Sequence, residues 1–517
     1  MRFWLSPAAL LSPAALASLA AVAVAGAVAT TGCGLNQEGI GPPADRIFYP
    51  GAITVDSTGS FLYVVNSNAD LRFNDGTVVA IKLGSADREG TGVSDVLLSA
   101  RPDGSGKPAK FRGICADSKF VNQLSEPADY CCWDTLDHNI LNCDERQFMV
   151  AGAAVKIGSF GSALQLQRPQ DDMMTRDDHR QRLLVAVRGN ASVTWIDAAV
   201  ADDQSTVSFT CRDGSPVGAF DECDLAHRVS QTKTAPGQPT PLAEPILLPE
   251  EPYALALDQS QDLLYVGHLR GGYLSALNLA DAPALIGAFG GIFPGDINGS
   301  TGVTSLTLTA ERINSGRIYA TSRYLPRAGA FAAISLGPVD PDASNAVNNS
   351  RIFLGNAGDS FASPLNGAEV RGIQPIPAIH RTFLLQRTPP ALIGFNTTNS
   401  GQNVAADILE MCNGPTFLHM YPPFDPDGDS GLDKRLFVTC FEAGQVYVVD
   451  PYVPKVVAII EVGRGPAGLA FPPQGSGNRA YVVGFGSNNV SVVDLDPTSS
   501  TRYHVIQRIG FPTPVPR

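Results

Sequence analysis

Short apolar strands alternate with polar turns along almost the whole chain. The clearest recur as Leu62-Tyr63-Val64-Val65, Leu183-Leu184-Val185-Ala186, Leu264-Tyr265-Val266-Gly267 and Ile318-Tyr319-Ala320-Thr321. Three more follow: Thr382-Phe383-Leu384-Leu385, Leu436-Phe437-Val438-Thr439 and Ala480-Tyr481-Val482-Val483. After each comes a turn and then a second alternating run, beginning at Thr77, Ser192, Tyr273, Ala330, Ala391, Gln445 and Asn489. Alternation with period two over so few residues is the signature of strands, and the turn residues between them predict hairpins.

The spacing within these hairpins is regular. Leu184 to Asp197 is 13 residues, as are Tyr265 to Asn278, Phe383 to Asn396, Phe437 to Asp450 and Tyr481 to Asp494. Tyr319 to Ser335 (16) and Tyr63 to Lys82 (19) differ only by longer turns. A further strand precedes most hairpins, often opened by Pro or Gly, as in Pro50–Val55, Pro252–Leu257 and Gly465–Ala470. Before that lies a β-branched run such as Val456–Gly463. One hairpin cannot bury both faces, so repeated units must pack on one another. Seven units of four strands predict an all-β fold, a seven-bladed β-propeller of four-stranded antiparallel blades.

The segment Val456 to Asp494 carries I-x-V-G-x-G-P-x-G-L-A, then A-Y-V-V, then S-N-N-V-S-V-V-D. It resembles the YVTN-type propeller repeat of bacterial surface and periplasmic proteins, most closely over residues 405–496. The resemblance implies the fold and leaves activity open, because such propellers host ligand binders and enzymes alike.

Composition and charge narrow the picture. The 517-residue chain is 17% charged with net charge −13, so it lacks the dense basic footprint that nucleic acid requires. Met1-Arg2 opens a segment whose residues 3–30 carry no charge and which ends in Ala29-Thr30-Thr31-Gly32-Cys33. This is a secretory signal pattern. Gly before Cys resembles a bacterial lipobox, in which Cys33 becomes the acylated N-terminus, although Thr30 stands where that motif has Leu. Cleavage after Ala27-Val28-Ala29 or an uncleaved anchor are the alternatives. The expected organisation is a signal peptide at 1–32, a tether at 33–45 and one propeller at 46–517. The expected location is the bacterial cell envelope, lipid-anchored to the outer membrane, with its partner the membrane itself.

Two inserts, residues 84–147 and 199–246, interrupt the array and read as loops that need staples. Setting Cys33 aside leaves eight Cys, an even number that suits an oxidising compartment. Cys211 with Cys223 is the natural pair in the second insert. Cys412 and Cys440 are expected on adjacent strands. Cys115, Cys131, Cys132 and Cys143 allow three pairings, and the sequence does not choose among them.

Candidate chemistry is sparse. Asp425, Asp427, Asp429 and Asp433 alternate on a Gly-bearing loop that suits Ca²⁺, although the closing bidentate Glu is missing and a plain turn is the competing reading. Arg188, Arg270, Arg323 and Arg387 fall in the hairpin turns of four successive units, and the loops leading into innermost strands supply Arg371 and Arg464. These six arginines are expected on one propeller face, as a binding surface for an anionic small molecule or glycan. Glu250, Glu251 and Glu442 are expected on the same face and would make it a salt-bridged rim instead. No G-x-S-x-G or H-E-x-x-H motif occurs, and the seven His are scattered. The leading expectation is a monomeric, non-enzymatic scaffold for a ligand or a protein partner, with the 84–147 insert placed to cap its Arg face. The alternative is a lactonase-like, metal-assisted propeller hydrolase with its site in the central funnel.

Overall fold

The computed structural model describes residues 39–84, 92–95, 115, 131–168, 170–172, 175–176, 180–212, 221–230, 247–258, 262–280, 282–290, 292–293, 301–309, 317–323, 331–335, 364–365, 368–397, 404–422, 434–473 and 476–510. The apolar N-terminal segment, Cys33 and Asp425 to Asp433 lie outside them. No helix among the described residues is long and apolar enough to cross a membrane.

The hairpins form where alternation places them. Phe61–Asn66 pairs with Thr77–Lys82, Arg180–Val187 with Ser192–Val200, and Leu263–His268 with Leu274–Asn278. Arg381–Thr388 pairs with Ala391–Asn396, Arg435–Cys440 with Gln445–Asp450, and Arg479–Gly484 with Asn489–Asp494. An innermost strand flanks each hairpin on one side: Pro50–Val55, Gly161–Gln167, Pro252–Asp258, Val303–Thr309, Ala368–Ile376, Pro415–Tyr421 and Pro466–Ala470. Burial explains the composition of each position. The strand Phe61–Asn66 is buried at every residue because sheets cover both its faces. The outer strand Lys455–Glu461 alternates between exposed and covered residues, because only one of its faces meets protein.

The blade strands pair antiparallel, as a propeller of four-stranded blades requires. The expected seven four-stranded blades are corrected to six. Among the described residues six sheets have four strands or more, while the fourth unit forms a three-stranded sheet that ends at Phe331–Ser335. The phase of the repeat also needs correcting. Lys455–Glu461 pairs with Gln445–Asp450 and so closes the sixth sheet, not the one containing Pro466–Ala470. The short link from Val462 to Gly465 makes one continuous sequence signature out of strands in two neighbouring sheets.

The core is distributed between sheets. Leu62, Val64, Tyr481 and Val490 share an apolar cluster that joins the first sheet to the last. Tyr63 and Val65 meet Leu183 and Val185 at the next junction, and Phe437 and Val448 meet Leu469 and Val482 before the last sheet. Burying each such side chain contributes about 1.5–3 kcal/mol, so the blades are held by their neighbours.

The inserts are not simply loops. Val207–Thr210, inside the second insert, is the outer strand of the second sheet, and the Cys211–Cys223 bond lies directly after it. In the first insert, Leu141–Cys143 lies parallel to the C-terminal strand Val505–Ile509, and Cys131–Trp133 lies against Leu141–Cys143. The described part of this insert therefore extends the outer edge of the last sheet and does not cover the Arg-bearing face. The pairings left open are Cys115–Cys132 and Cys131–Cys143, and Cys412–Cys440 links the loop before Pro415 to the end of the neighbouring strand.

Candidate functional site: an arginine cluster at the mouth of the ring

One local motif, repeated around the ring, builds the candidate face. The residue leading into an innermost strand takes a left-handed backbone at Tyr49 (φ 44), Phe160 (φ 63), Glu251 (φ 53), Glu369 (φ 59), Gly414 (φ 67) and Gly465 (φ 63). A bulge two residues later turns the next side chain out of the ladder, as register shifts at Pro50/Ala52, Pro252/Ala254 and Val370/Gly372 show. In most sheets, the first residue after the second strand donates its backbone N–H to the lead-in residue: Ser67 to Tyr49 (3.0 Å), Arg188 to Phe160 (3.2 Å), Leu269 to Glu251 (2.9 Å) and Arg323 to Gly302 (2.9 Å). Lead-in residue and strand exit are thus neighbours in each sheet, and their side chains share one rim.

The arginines occupy this frame unevenly. Arg188, Arg323 and Arg387 stand at equivalent strand exits, and Arg270 lies one residue further on. Arg371 departs from expectation: it sits inside the innermost strand Ala368–Ile376, at the bulge, and not in the loop before it. The equivalent bulge residues are Gly51, Ser162, Tyr253, Thr304, Thr416 and Ala467, so the fifth sheet alone places a charge there. Arg464 is exposed on the link into the last sheet, apart from the others.

Three expected acids do pair with the rim. Arg188 reaches Glu251 at 3.3 Å, Arg270 reaches Glu250 at 2.6 Å, and Arg387 reaches Glu442 at 2.7 Å. The Arg270–Glu250 pair is 73% and 69% exposed, and such surface pairs contribute little. The sequence reading missed Glu369. Its Oε1 lies 3.6 Å from Arg323 Nε and 3.5 Å from Arg371 Nη2, and its Oε2 lies 3.6 Å from Arg387 Nε. Strand alternation could not have revealed it, because Glu369 is left-handed and the bulge at Arg371 breaks the period of two. The six expected arginines therefore resolve into two simple ion pairs, one separate residue, and a cluster of Arg323, Arg371 and Arg387.

The Arg371 side chain is only 10% exposed, and its Nε is buried without a hydrogen-bond acceptor. Leaving such a donor unmet costs about 1–3 kcal/mol, more for a charged group. Three guanidinium groups are thus gathered around Glu369, and one of them, Arg387, also pairs with Glu442.

The wall of the central channel is chemically quieter. The half-buried polar side chains of the innermost strands spend their hydrogen bonds on neighbouring backbone: Gln165 Nε2 donates to Leu255 O (3.3 Å) and Thr307 Oγ1 to Ile373 O (2.8 Å). His419, on the same layer of strands, is held neutral by desolvation, which pushes its pKa down to about 4. Burial does the same to His268, also to about 4, and its ring bonds Ser275 Oγ at 2.8 Å as a packed structural group. Among the described residues, no three His, Cys, Asp or Glu side chains are grouped to hold a metal ion.

No family model matches this sequence, and no curated protein matches it. Solved structures of similar shape include a putative 6-phosphogluconolactonase from Bacteroides uniformis, with 11% identity, 80% of this chain and 86% of that chain covered, and TM-score 0.42. One from Bacteroides fragilis gives 12% identity, 81% and 86% coverage, and TM-score 0.40. Hydrazine synthase from Kuenenia stuttgartiensis gives 12% identity, 88% and 97% coverage, and TM-score 0.39.

Proposed function

We propose that the protein is a lipid-anchored propeller of the bacterial envelope that serves as a binding scaffold for an anionic ligand, seated at Arg323, Arg371 and Arg387. The observation that carries this reading is the nearly buried Arg371, whose Nε has no acceptor while two more guanidinium groups face the same carboxylate. Low local dielectric strengthens attraction for an incoming anion, and the arginine forks suit carboxylate, phosphate and sulfate oxygens. Cys33 supplies the tether, with the disulfides formed in the same oxidising compartment.

The test is calorimetric titration of the detergent-solubilised full chain with inorganic phosphate, succinate and a sulfated disaccharide. Binding that Arg371→Lys weakens at least tenfold supports the reading, because Lys keeps the charge but loses the fork. Absence of heat with all three sinks it and turns attention to a protein partner. For the tether, metabolic labelling with palmitate should mark the wild-type chain and not Cys33→Ala.

A further inference from the structure

We propose that the anionic ligand carries an aromatic ring, and that this ring lies on a ledge of Phe441, Phe485 and Tyr49 while its anionic group is held at Arg371 and Arg387. The inference rests on the anion-binding reading above and adds to it the chemical class of the ligand, an aryl carboxylate, phosphate or sulfate.

The first argument is the order of side chains around the rim. Strand exits carry Arg323 and Arg387 in the fourth and fifth sheets, then Phe441 and Phe485 in the sixth and the last. The Phe exits occupy the same frame. Phe441 N–H donates to Gly414 O (2.8 Å) and Phe485 N–H to Gly465 O (2.8 Å), as Arg323 N–H does to Gly302 O (2.9 Å). Tyr49, the lead-in residue of the first sheet, continues the row. Its ring centroid lies 5.4 Å from that of Phe485, which in turn lies 5.9 Å from that of Phe441. An arginine sector of the rim thus runs directly into an aromatic one.

The second argument is the junction between the sectors. Arg387 bonds Glu442 at 2.7 Å, and Glu442 follows Phe441 in the chain. Two lead-in glycines leave room for this junction. A Cβ on Gly414 would stand 2.8 Å from Glu442 Cγ, and one on Gly465 would stand 3.2 Å from Phe441 Cε2 and Cζ. The side chains of Phe441 and Glu442 therefore lie against two neighbouring lead-in turns. One of them holds Arg387, and the other begins the ledge.

The third argument is partial exposure. Phe441 and Phe485 pack against the apolar cluster that joins the first sheet to the last, yet both stay partly exposed. Tyr49 is partly exposed too, and its hydroxyl bonds Asp70. The exit position itself calls for no ring, since Ser67 and Arg188 fill it in the first two sheets. Rings already fixed by packing lose little freedom when a flat group stacks on them, and stacked aromatic groups gain beyond the area they bury. An aryl anion would use both sectors at once, its head at the arginines and its ring on the ledge.

Calorimetric titration of the detergent-solubilised full chain at pH 8 with inorganic phosphate, phenyl phosphate and butyl phosphate tests this. Phenyl phosphate should bind about tenfold more tightly than inorganic phosphate, and butyl phosphate should gain much less. The double variant Phe441→Leu, Phe485→Leu keeps apolar bulk and loses the flat faces. Its phenyl phosphate affinity should fall to within about twofold of its inorganic phosphate affinity, which itself stays at the wild-type value. If the double variant loses inorganic phosphate as well, Phe485→Leu alone, further along the rim from Arg387, decides by the same ratio. Arg371→Lys should weaken all three probes. If inorganic phosphate binds and phenyl phosphate binds no more tightly, or butyl phosphate gains as much, the inference fails while the anion site stands. It fails in the same way if the Leu variants keep the tenfold preference. If Arg464→Ala abolishes phenyl phosphate binding and Arg371→Lys does not, the head sits at the other end of the ledge and the inference is overturned. If no probe binds to wild type, the inference and the anion reading fall together.

Discussion

Replacing Cys131 and Cys143 together by Ala should loosen the last sheet selectively. Among the described residues, the four main strands of that sheet run consecutively from Pro466 to Ile509. Besides the apolar cluster it shares with the first sheet, the insert strand Leu141–Cys143, laid parallel on Val505–Ile509, ties its outer edge to the first unit. Gly510 N–H donates to Cys143 O at 2.9 Å, and Arg508 Nη1 meets Asp134 Oδ2 at 3.0 Å. The Cys131–Cys143 bond spans 12 residues and holds this three-residue strand in its hairpin. On the chain-entropy model, closing a loop of that length contributes about 3 kcal/mol. If the clasp sets the opening free energy of the C-terminal strand, amides in Val505–Ile509 should exchange roughly 100-fold faster in the double variant. Amides of the hairpin Leu263–Asn278, in the third sheet and away from the last one, should hold their protection. Hydrogen exchange read by mass spectrometry resolves both segments. Unchanged exchange at 505–509, or equal acceleration in both segments, would refute the idea that the insert is a local clasp.

Acid should weaken the fold before ordinary carboxylates titrate. His268 is buried and His419 half-buried, and desolvation holds both neutral with pKa values near 4, against 6.5 in the unfolded chain, so between these values only the unfolded state takes up the protons. Their contribution is complete above pH 6.5 and is lost as pH falls toward 4, up to about 3 kcal/mol each. Denaturant midpoints measured from pH 7.5 to 4.5 should drop accordingly, and His419→Phe should flatten part of that slope. Arg270→Ala should leave both stability and anion affinity within error, since its partner Glu250 is equally exposed; a tenfold loss of sulfate affinity would return Arg270 to the site.

Strand positions were legible because period-two alternation and turn residues report directly on the pleated backbone. The second hairpin strands begin at Thr77, Ser192, Ala391, Gln445 and Asn489 as read, and at Leu274 and Phe331 where Tyr273 and Ala330 were expected. The phase of the repeat was not legible. Val456–Gly463 and Gly465–Ala470 are joined by a link too short to mark a boundary, although hydrogen bonding assigns them to different sheets. The edge strands inside the inserts were missed for a related reason. Val207–Thr210 and Leu141–Cys143 are three or four residues long, and each is fixed by pairing with a distant or stapled partner, which local periodicity cannot report. At the rim, the sequence offered Glu250, Glu251 and Glu442 as partners of arginines but did not single out Glu369. Which Glu faces which Arg depends on neighbouring sheets, and Glu369 serves residues 46 positions before it and 18 after it in the chain.

The site's asymmetry follows from placing different side chains on one repeated backbone. Lead-in residues at Tyr49, Phe160, Gly414 and Gly465 carry no charge, whereas Glu251 and Glu369 do. Strand exits at Ser67, Leu269, Phe441 and Phe485 are likewise uncharged, while Arg188, Arg323 and Arg387 are not. Where a charged exit meets one charged lead-in residue, as with Arg188 and Glu251, a simple pair results. At the fifth sheet the lead-in Glu369 meets charged exits on both its own and the preceding sheet, and the bulge adds Arg371. The arginine cluster therefore arises at one sector of the ring and not on its axis. A ligand held there would lie off centre at the mouth, against the innermost strand Ala368–Ile376.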